Sequence, residues 1–345
     1  MGKRCLVTGG LGFIGQHLVT LLLDRGDRVR IFDLATPTDR IDGVEYVTGN
    51  ITDRPAVENA MQGIDHVFHL AANAGLWSPH KDEFITINQS GTRNVMDAAL
   101  SHGVERVVHC STESILKSVR TTSQSIASTP SADKPLIDES IQLTLEDMAG
   151  AYCRGKFVAE QEAFAAARRG LPVVIVNPTV PIGPGDRRIT PPTRMMLGFL
   201  NGKYPAYLNS TLNLIDARDV ALGHILAANK GIPGERYILG NANIQLGELL
   251  DLLEELSGVT MPKRQIPYWI ALTVSSIQEF IADTLTKKPP QAPLTGVKLA
   301  RSPMMFNNTK AQTELGLTFR PLRESLKDAI ADYHRRGLLA TQSNG

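Results

Sequence analysis

Two side chains four positions apart are of the types that move protons. Tyr152 and Lys156 stand at the start of a predicted helix, where positions i and i+4 share one face. An ammonium group near a phenol favours the phenolate, so we expect Lys156 to lower the pKa of Tyr152. The phenol could then exchange a proton with a substrate oxygen while a hydride moves. Such pairs also arise by chance on helix surfaces, so this motif needs support from other residues.

Two hydroxyl side chains, Ser111 and Thr112, follow the predicted strand Arg106–Cys110. Ligands of parallel sheets gather at the carboxyl ends of the strands. A hydroxyl at this position could hold the substrate oxygen beside Tyr152. The alternative is a Ser/Thr turn that only ends the strand.

A glycine-rich segment, Thr8–Gly15, separates the first predicted strand from the first predicted helix. Its glycines allow a tight turn and let backbone amides approach a pyrophosphate at the amino terminus of the helix. Two glycine fingerprints fit the segment: Gly10, Gly12 and Gly15, or Gly9, Gly12 and Gly15. The spacing alone does not choose between them, and a glycine-rich turn without a ligand is the alternative.

An acidic residue, Asp33, ends the second predicted strand, 18 residues after Gly15. An acid at this place can accept hydrogen bonds from the ribose hydroxyls of adenosine, and it repels the additional phosphate of NADP. Arg40 follows nearby and could reach such a phosphate. The sequence therefore favours NAD over NADP as the cofactor.

Short apolar runs alternate with helical patterns through the first half of the chain. This alternation predicts an α/β fold of the Rossmann type, with a doubly wound parallel sheet. The predicted strands are Arg4–Thr8, Arg28–Asp33, Glu45–Thr48, His66–Leu70, Arg106–Cys110, Pro172–Val176 and Arg236–Leu239. The predicted helices are Phe13–Arg25, Ala56–Met61, Asp82–His102, Ala151–Arg168, Lys310–Leu315 and Arg320–Arg336.

A cluster of prolines after Pro178 ends the alternation and marks a second region, which we expect to cover the substrate. We predict an NAD-binding domain of residues 1–180, joined by residues of about 214–240. Residues 181–213 and 241–345 would form a smaller, mostly C-terminal substrate-binding region. The Ser- and Thr-rich segment Ser118–Lys134 predicts a surface loop.

The segment Pro267–Leu285 has apolar residues with helical spacing at Ile270, Val274, Ile277 and Ile281. Such spacing most often indicates packing against the core. The alternatives are an apolar wall over the substrate or a face that touches membrane lipid.

The composition is that of an ordinary globular protein, with 42% apolar and 21% charged residues among 345. The net charge is +1 and no basic run stands out, so nucleic acid is not expected as a partner. The scattered cysteines Cys5, Cys110 and Cys153 form neither a disulfide framework nor a set with metal-ligand spacing. We expect a cytoplasmic protein without a signal peptide and without a bound metal.

These motifs together resemble those of the extended short-chain dehydrogenases/reductases over nearly the whole chain. Each is weak alone, but their order and spacing are specific. The matching pieces are Thr8–Gly15, Asp33, Asn50–Ile51, Asp65–Ala72, Asn88–Asn94, Ser111–Thr112, Tyr152 with Lys156, Asn177–Thr179 and Gly183–Asp186. Two positions depart from the usual residues of the family: Asn50 stands where Asp is common, and Gly155 stands where Ser is common.

The resemblance implies a catalytic set of Thr112, Tyr152 and Lys156, and it chooses the second of the two glycine fingerprints. It also implies that Pro178 and Thr179 border the nicotinamide. The residues implied to bind the cofactor are Gly9, Gly12, Phe13, Ile14, Gly15, Asp33, Asn50, Ile51, Leu70, Ala71, Ala72, Tyr152, Lys156, Pro178 and Thr179, of which Ile51, Ala71 and Ala72 would line the adenine side.

Within the family, the chain is most similar to the branch of flavonol-type reductases, hydroxysteroid and sterol dehydrogenases, and hopanoid-associated sugar epimerases. Val173–Pro184 resembles the last group, and Ile266–Trp269 resembles the sterol dehydrogenases. Nucleotide-sugar enzymes usually carry Val-Tyr-Gly after the catalytic hydroxyl, where this chain has Ile115–Lys117. Sugar dehydratases carry Asp-Glu where it has Glu113–Ser114, although Glu113 could still serve as an acid.

We therefore expect an NAD-dependent oxidoreductase that interconverts a secondary alcohol and a ketone on an apolar substrate, such as a sterol, a steroid or another terpenoid lipid. A nucleotide-sugar epimerase with the same Tyr152 and Lys156 is the alternative. A non-catalytic NAD-binding sensor is a third class, which the retention of Thr112, Tyr152 and Lys156 disfavours. The expected partner is a small molecule, with at most peripheral membrane contact, and a homodimer is left open.

Overall fold

A parallel sheet of seven strands runs through the described part of the chain, which comprises residues 2–37, 39–119, 136–301 and 305–340 of this computed structural model. The strands in chain order are β1 (Arg4–Thr8), β2 (Arg28–Asp33), β3 (Val44–Thr48), β4 (His66–His69), β5 (Arg106–Cys110), β6 (Val173–Pro178), β7 (Val180–Ile182), β8 (Tyr207–Leu208), β9 (Thr211–Asp216), β10 (Arg236–Leu239), β11 (Ala242–Gln245) and β12 (Gln265–Ile266). The main sheet has the order β10-β6-β5-β4-β1-β2-β3.

Two layers of helices cover this sheet. The helices are α1 (Phe13–Asp24), α2 (Arg54–Met61), α3 (Glu83–Ile85), α4 (Gly91–Ser101), α5 (Ala151–Arg168), α6 (Pro191–Leu200), α7 (Ala217–Lys230), α8 (Leu246–Ser257), α9 (Tyr268–Ile281), α10 (Leu294–Arg301) and α11 (Leu322–Arg335). Helices α1 and α7 pack on one face, and α2, α4 and α5 pack on the other. A π-helical turn, Thr86–Ser90, joins α3 to α4.

The position of β1 between β2 and β4 organises the sheet. Both pairings are parallel, so the chain leaves β1 toward one side and returns on its other side to form β4. This arrangement is the switch point at which doubly wound sheets bind ligands. Strands such as β6 are buried along their whole length because helices cover both faces. The predicted Rossmann-type fold is confirmed.

A second, smaller sheet of order β11-β9-β7 packs with α6, α8 and α11 around a separate apolar core. Pro191 and Pro192 occupy the first positions of α6, where a missing amide hydrogen costs nothing. The prolines that end the predicted alternation therefore begin a helix. The turn Ala311–Leu315 packs into the main core beside α7, although its sequence position falls within the predicted substrate-binding region. The division into two domains stays a prediction.

A loop that follows β7 ties the first helix to the last. The carbonyl of Gly185 accepts a hydrogen bond from the Gln16 side chain of α1 at 2.5 Å. The amide of Gly185 donates to Asp332 of α11 at 3.0 Å, and Arg336 donates to the carbonyl of Asp186 at 2.9 Å. The two ends of the described chain thus meet on one loop next to the main sheet.

The predicted strands and helices all appear with ends within two residues of the prediction, except that the predicted helix Asp82–His102 is divided into α3, the π-helical turn and α4. The patterns did not predict α6, α7 or α8, which follow the proline cluster. Helix α7 begins at Asp216, whose side chain accepts a hydrogen bond from the amide of Arg218 at 2.8 Å. Of the predicted loop Ser118–Lys134, residues 120–134 lie outside the described residues.

Helix α9 does not pack as its apolar spacing predicts. Val274, Ile277 and Ile281 are exposed, and the buried residues of the helix are the small side chains Ala271 and Ser275. The expectation of core packing is therefore wrong, because α9 lies against the protein through its small residues and turns its large ones outward. None of the described helices is both long and apolar enough to span a bilayer.

The close packing of α5 on α3 leaves no room for a side chain at Gly155. A β-carbon there would lie 2.4 Å from the carbonyl oxygen of Phe84. We predict that Gly155→Ser lowers the free energy of unfolding by about 1–3 kcal/mol, because the two helices must separate. Urea denaturation measures this loss. Ala167→Ser on the same helix is the control, with an expected loss of about 0.5 kcal/mol, and an equal effect of both substitutions would contradict the packing argument.

Candidate functional site

The residues proposed for the site share one edge of the main sheet. The glycine segment follows β1, Asp33 ends β2, and Asn50 follows β3. Ala71 and Ala72 follow β4 by two and three residues. Further across the sheet, the residues at the ends of β5 and β6 are Ser111, Thr112, Pro178 and Thr179. Strands that are adjacent in the sheet thus bring adjacent parts of the proposed site to the edge at which doubly wound sheets bind dinucleotides.

The glycine segment has a geometry that only one of the two fingerprints explains. Gly9 has a φ of +71°, and a β-carbon on it would lie 2.8 Å from the amide nitrogen of Ala71. A β-carbon on Gly15 would lie 2.4 Å from the carbonyl oxygen of Gly9. Gly10 has no such backbone constraint and would meet only the side chain of Ile31. These contacts support the register Gly9, Gly12 and Gly15.

The amino terminus of α1 is open to an anionic ligand. Gly12 precedes the helix without a capping side chain, and the first turn contains no acidic residue. A β-carbon on Gly12 would meet only the carbonyl oxygen of Gly9, at 3.1 Å. The amides of the first turn therefore lack a side-chain acceptor, and a pyrophosphate fits beside them.

Asp33 is a buried carboxylate held by backbone amides. It accepts hydrogen bonds from the amides of Leu11 at 3.2 Å and Ala35 at 3.3 Å. Arg188, which is more than half exposed, donates to it at 3.3 Å. The sequence did not indicate this arginine, because 155 positions separate the two residues. Arg40 instead stacks over the ring of Tyr46.

A buried histidine positions the loop after β4. The imidazole of His69 lies 2.7 Å from the hydroxyl of Thr8 and 3.0 Å from the hydroxyl of Thr92. The same Thr8 oxygen accepts the amide of Ala71 at 3.2 Å. Burial, together with the charge of Lys156, lowers the pKa of His69 to about 3, so the ring stays neutral. The three residues lie within the motifs Thr8–Gly15, Asp65–Ala72 and Asn88–Asn94, but their spacing along the chain does not indicate this network.

Residues of α4 hold the segment after β3, which the resemblance assigns to the adenine side of the cofactor. The side chain of Asn94 donates to the carbonyl of Ile51 at 3.0 Å. Gly91 leaves room for the Ile51 side chain, since a β-carbon there would lie 2.4 Å from its terminal carbon. The side-chain oxygen of Asn50 accepts a hydrogen bond from the amide of Thr52 at 3.0 Å. The motif Asn88–Asn94 thus contributes two residues, Gly91 and Asn94, that fix the position of Ile51.

The three residues proposed as catalytic meet at the end of β5. The hydroxyls of Thr112 and Ser114 lie close to the Tyr152 phenol, where their interaction opposes the rise of its pKa. Thr112 donates to the carboxylate of Glu113 at 2.8 Å, and Lys156 donates to the carbonyl of Cys110 at 2.7 Å. The buried Asn177 donates to the carbonyl of Thr112 at 3.2 Å. The geometry therefore brings a phenol, a hydroxyl and an ammonium group together.

The electrostatics of Tyr152 differ from the expectation. Burial raises the pKa of its phenol above the usual value, and the charge of Glu113 raises it further. Lys156 is itself buried, which lowers its pKa, and its ammonium group is bound to the Cys110 carbonyl. The expected lowering of the Tyr152 pKa is therefore wrong for this structure. A protonated phenol is the form that donates a proton.

Glu113 and Lys117 form a buried pair beside the phenol. The Lys117 nitrogen lies 4.0 Å from Glu113 and has no hydrogen-bond partner among the described residues. Burial lowers the pKa of Lys117. The sequence singled out Glu113 as a group that could act as an acid, but it missed its partner. The spacing of four residues between Glu113 and Lys117 could have indicated this pair, because oppositely charged side chains at i and i+4 often interact.

No three His, Cys, Asp or Glu side chains within residues 2–37, 39–119, 136–301 and 305–340 are grouped so that they could hold a metal ion. Cys5, Cys110 and Cys153 are all buried and free. Burial raises the pKa of the Cys153 thiol, next to Tyr152, to about 11. These thiols are therefore protonated and apolar in character.

Several curated proteins are similar to this chain over almost its full length. A protein of Synechocystis sp. with the provisional name dihydroflavonol 4-reductase is 38% identical and covers 99% of this chain and 98% of its own. Sterol demethylase protein B of Methylococcus capsulatus is 31% identical, covering 97% of this chain and 99% of its own.

Solved structures share the fold. The crystal structure of gox2253 aligns with a TM-score of 0.82 and 33% identity, covering 98% of this chain and 100% of its own. PA4631, a nucleoside-diphosphate-sugar epimerase from Pseudomonas aeruginosa, has a TM-score of 0.77 and 21% identity, with coverage of 99% and 100%.

A family model matches most of the chain. It spans residues 5–240, which include the glycine segment, Asp33, the Tyr152 and Lys156 pair, and the strand ends that line the groove. The chain belongs to the NAD dependent epimerase/dehydratase family, and it is an NAD-dependent enzyme of the extended short-chain dehydrogenase/reductase type.

Proposed function

We propose that this enzyme interconverts a secondary alcohol and a ketone on an apolar substrate such as a sterol, a steroid or another terpenoid lipid. Thr112, Tyr152 and Lys156 are the proposed catalytic residues. The cofactor NAD supplies the acceptor or donor of the hydride. The proposed cofactor contacts are Gly9, Gly12, Phe13, Ile14, Gly15, Asp33, Asn50, Ile51, Leu70, Ala71, Ala72, Tyr152, Lys156, Pro178 and Thr179.

In this proposal each catalytic side chain has a separate task. The protonated phenol of Tyr152 donates its proton to the ketone oxygen during reduction and takes it back during oxidation. The hydroxyl of Thr112 holds the same substrate oxygen after its hydrogen has turned away from the Glu113 carboxylate. Lys156, fixed by the Cys110 carbonyl, contributes a positive charge that stabilises negative charge on the phenol oxygen and binds the nicotinamide ribose.

The apolar surroundings of Tyr152 carry this proposal. Its ring packs against the core that includes Ile115, Met148 and Met196, and it meets the ring of Phe84 edge to face with centroids 6.3 Å apart. Apolar surface that a ligand buries against such walls contributes roughly 25 cal/mol per Å². A sugar gains little there, because buried hydroxyls without partners are costly.

The names of two relatives support the same substrate class. One is the sterol demethylase protein B already described. The other is a ketoreductase of Stigmatella aurantiaca, 30% identical over 95% of this chain, whose name describes a farnesylated dihydroquinoline oxide. Both names point to a large apolar molecule, and the second also points to reduction of a ketone.

A nucleotide-sugar epimerase is the second candidate, and it needs basic residues that are free to hold a diphosphate. Three arginines that follow the proline cluster along the chain, Arg218, Arg236 and Arg320, are each paired with a carboxylate. Arg218 contacts Asp216 at 2.7 Å and Arg236 contacts Glu160 at 3.2 Å, while Arg320 is paired with Asp219. Together with the missing Val-Tyr-Gly sequence, this pairing favours the alcohol dehydrogenase. A homodimer stays a prediction.

We predict that Tyr152→Phe keeps NAD binding but lowers turnover by ~100-fold to ~10,000-fold, because the ring stays while the proton donor is lost. Steady-state kinetics and a fluorescence titration with NADH measure the two properties. Tyr237→Phe is the matched control, since it removes a buried hydroxyl that is bonded to Glu314, away from the site. Near wild-type turnover in Tyr152→Phe would remove Tyr152 from the mechanism.

We predict that Asp33→Ser weakens NAD binding roughly tenfold or more, because hydrogen bonds from the ribose hydroxyls to a charged acceptor are lost. The same substitution should relax discrimination against NADP, since Arg188 is then released from its partner. Michaelis constants for both cofactors measure the change. Arg40→Ala is the control and should leave the ratio unchanged. Equal use of NAD and NADP by the unmodified enzyme would contradict the role of Asp33.

We predict that the enzyme forms NADH with a hydroxysteroid or a related apolar alcohol and does not interconvert UDP-sugars. The apolar walls around Tyr152 motivate this expectation. A panel of sterols, long-chain alcohols and UDP-sugars, followed by NADH absorbance and by sugar isomer ratios, is the measurement. Epimerised sugar, with no NADH released from any lipid alcohol, would overturn the proposal in favour of the epimerase.

A further inference from the structure

Large apolar side chains are concentrated on one side of α9 and the turn that follows it. Thirteen large apolar residues are exposed among the described residues, and six of them lie between Trp269 and Leu285. We call this set the α9 face; its members are Trp269, Val274, Ile277, Phe280, Ile281 and Leu285. Trp269 and Phe280 are each 67% exposed and Leu285 is 77% exposed. A patch of this kind on a soluble protein indicates an interaction surface.

The α9 face carries no charge. The charged residues between positions 268 and 286 are Glu279 and Asp283, and both turn toward the protein. Lys81 pairs with Glu279 at 3.2 Å and with Asp283 at 2.6 Å. The indole of Trp77 donates to Asp283 at 2.8 Å. The acids of the helix are therefore neutralised on its protein side.

The hydroxyl groups on the outward side of the helix are also satisfied internally. Thr273 donates to the carbonyl of Trp269 at 2.8 Å, and Ser276 donates to that of Leu272 at 2.7 Å. Thr284 donates to the carbonyl of Phe280 at 2.6 Å. Side chains that bond their own helix can enter an apolar medium without losing a hydrogen bond.

Positive charge follows at the end of the face. Lys287 and Lys288 are exposed directly after the turn that contains Leu285. A helix with Trp, Phe and Leu on one side and lysines at its edge is the pattern of a segment that lies in the interface of a bilayer with anionic lipid.

Helix α9, which bears the face, is connected to the proposed site through its neighbours α10 and Lys81. Helix α9 packs on α10, and a β-carbon on Gly150 would lie 2.5 Å from the hydroxyl of Thr295 in α10. Gly150 comes two residues before Tyr152. Lys81, which pairs with α9, belongs to the segment that follows Ala71 and Ala72. Both flanks of the catalytic groove thus connect to the helix that bears the face.

We propose that the α9 face docks this enzyme on an anionic lipid bilayer, next to the entrance through which its apolar substrate arrives. The position of the entrance rests on the proposed function, whereas the docking itself does not. A second copy of the chain is a less suitable occupant. Specific protein interfaces carry about one hydrogen bond per 100–200 Å², and the only polar side-chain atom of the six face residues is the indole nitrogen of Trp269, which is too little to fix a register.

The test uses the full-length protein and vesicles, without substrate. We expect the protein to float with vesicles of phosphatidylcholine mixed with phosphatidylglycerol. The double variant Trp269→Ser with Phe280→Ser should bind roughly tenfold or more weakly, because it removes the two largest apolar groups. Lys287→Gln with Lys288→Gln should weaken binding about fivefold for each lysine on the mixed vesicles, with no change on phosphatidylcholine alone.

Ile232→Ser is the matched control, because Ile232 is 53% exposed and precedes β10, at the amino edge of the main sheet. It should float like the unmodified protein, and thermal unfolding should show that all variants fold. Absence of flotation, or equal flotation of the double variant, overturns the proposal. Light scattering tests whether a second copy of the chain covers the face instead. That is the case if the unmodified protein is a dimer that does not bind vesicles and the double variant is a monomer.

The outcome is separable from that of the proposed function. Turnover of a hydroxysteroid dispersed in detergent tests the function without a bilayer, and the double variant should retain it. Flotation without turnover of any apolar alcohol would contradict the proposed substrate class and leave the proposed membrane docking supported. Turnover of such an alcohol without flotation would support the substrate class and contradict the docking.

Discussion

The close approach of the glycine segment to the loop after β4 is the constraint on which the site depends. Gly9 takes a positive φ and leaves no space before the amide of Ala71, while Gly15 lets α1 rest on the same turn. Because β1 lies between β2 and β4, this contact fixes where the sheet opens. Thr8 and His69 reinforce it from below through buried hydrogen bonds. The site residues at the ends of β2, β3, β5 and β6 then lie along the same edge of the main sheet.

The main sheet and the glycine turn could be predicted because their signals are local. Alternating apolar runs identified each strand of the main sheet, and the motif order identified the residues at its edge. Partners remote in sequence could not be found in this way, such as Arg188 beside Asp33. The outward side of α9 was also missed, because periodicity shows that a helix has two faces but does not say which one meets the protein.

The charges around Tyr152 depend on burial, which the spacing of Tyr152 and Lys156 does not reveal. A buried phenol resists ionisation, and the neighbouring Glu113 strengthens this resistance. The ammonium group of Lys156 donates a hydrogen bond to the Cys110 carbonyl. In the proposed mechanism, the phenol of the free enzyme therefore keeps the proton that it transfers, and the positive charge of Lys156 acts from a fixed position once substrate and cofactor are bound.

The loop that binds both Gln16 and Asp332 has a consequence for how the chain acquires its structure during synthesis. Residues of α1 emerge from the ribosome well before those of α11, which holds the same loop. Contacts of such large sequence separation form late and slowly. We therefore expect a nascent chain whose sheet assembles before α11 docks on this loop, so that the loop beside the sheet takes its final position only after α11 has been synthesised.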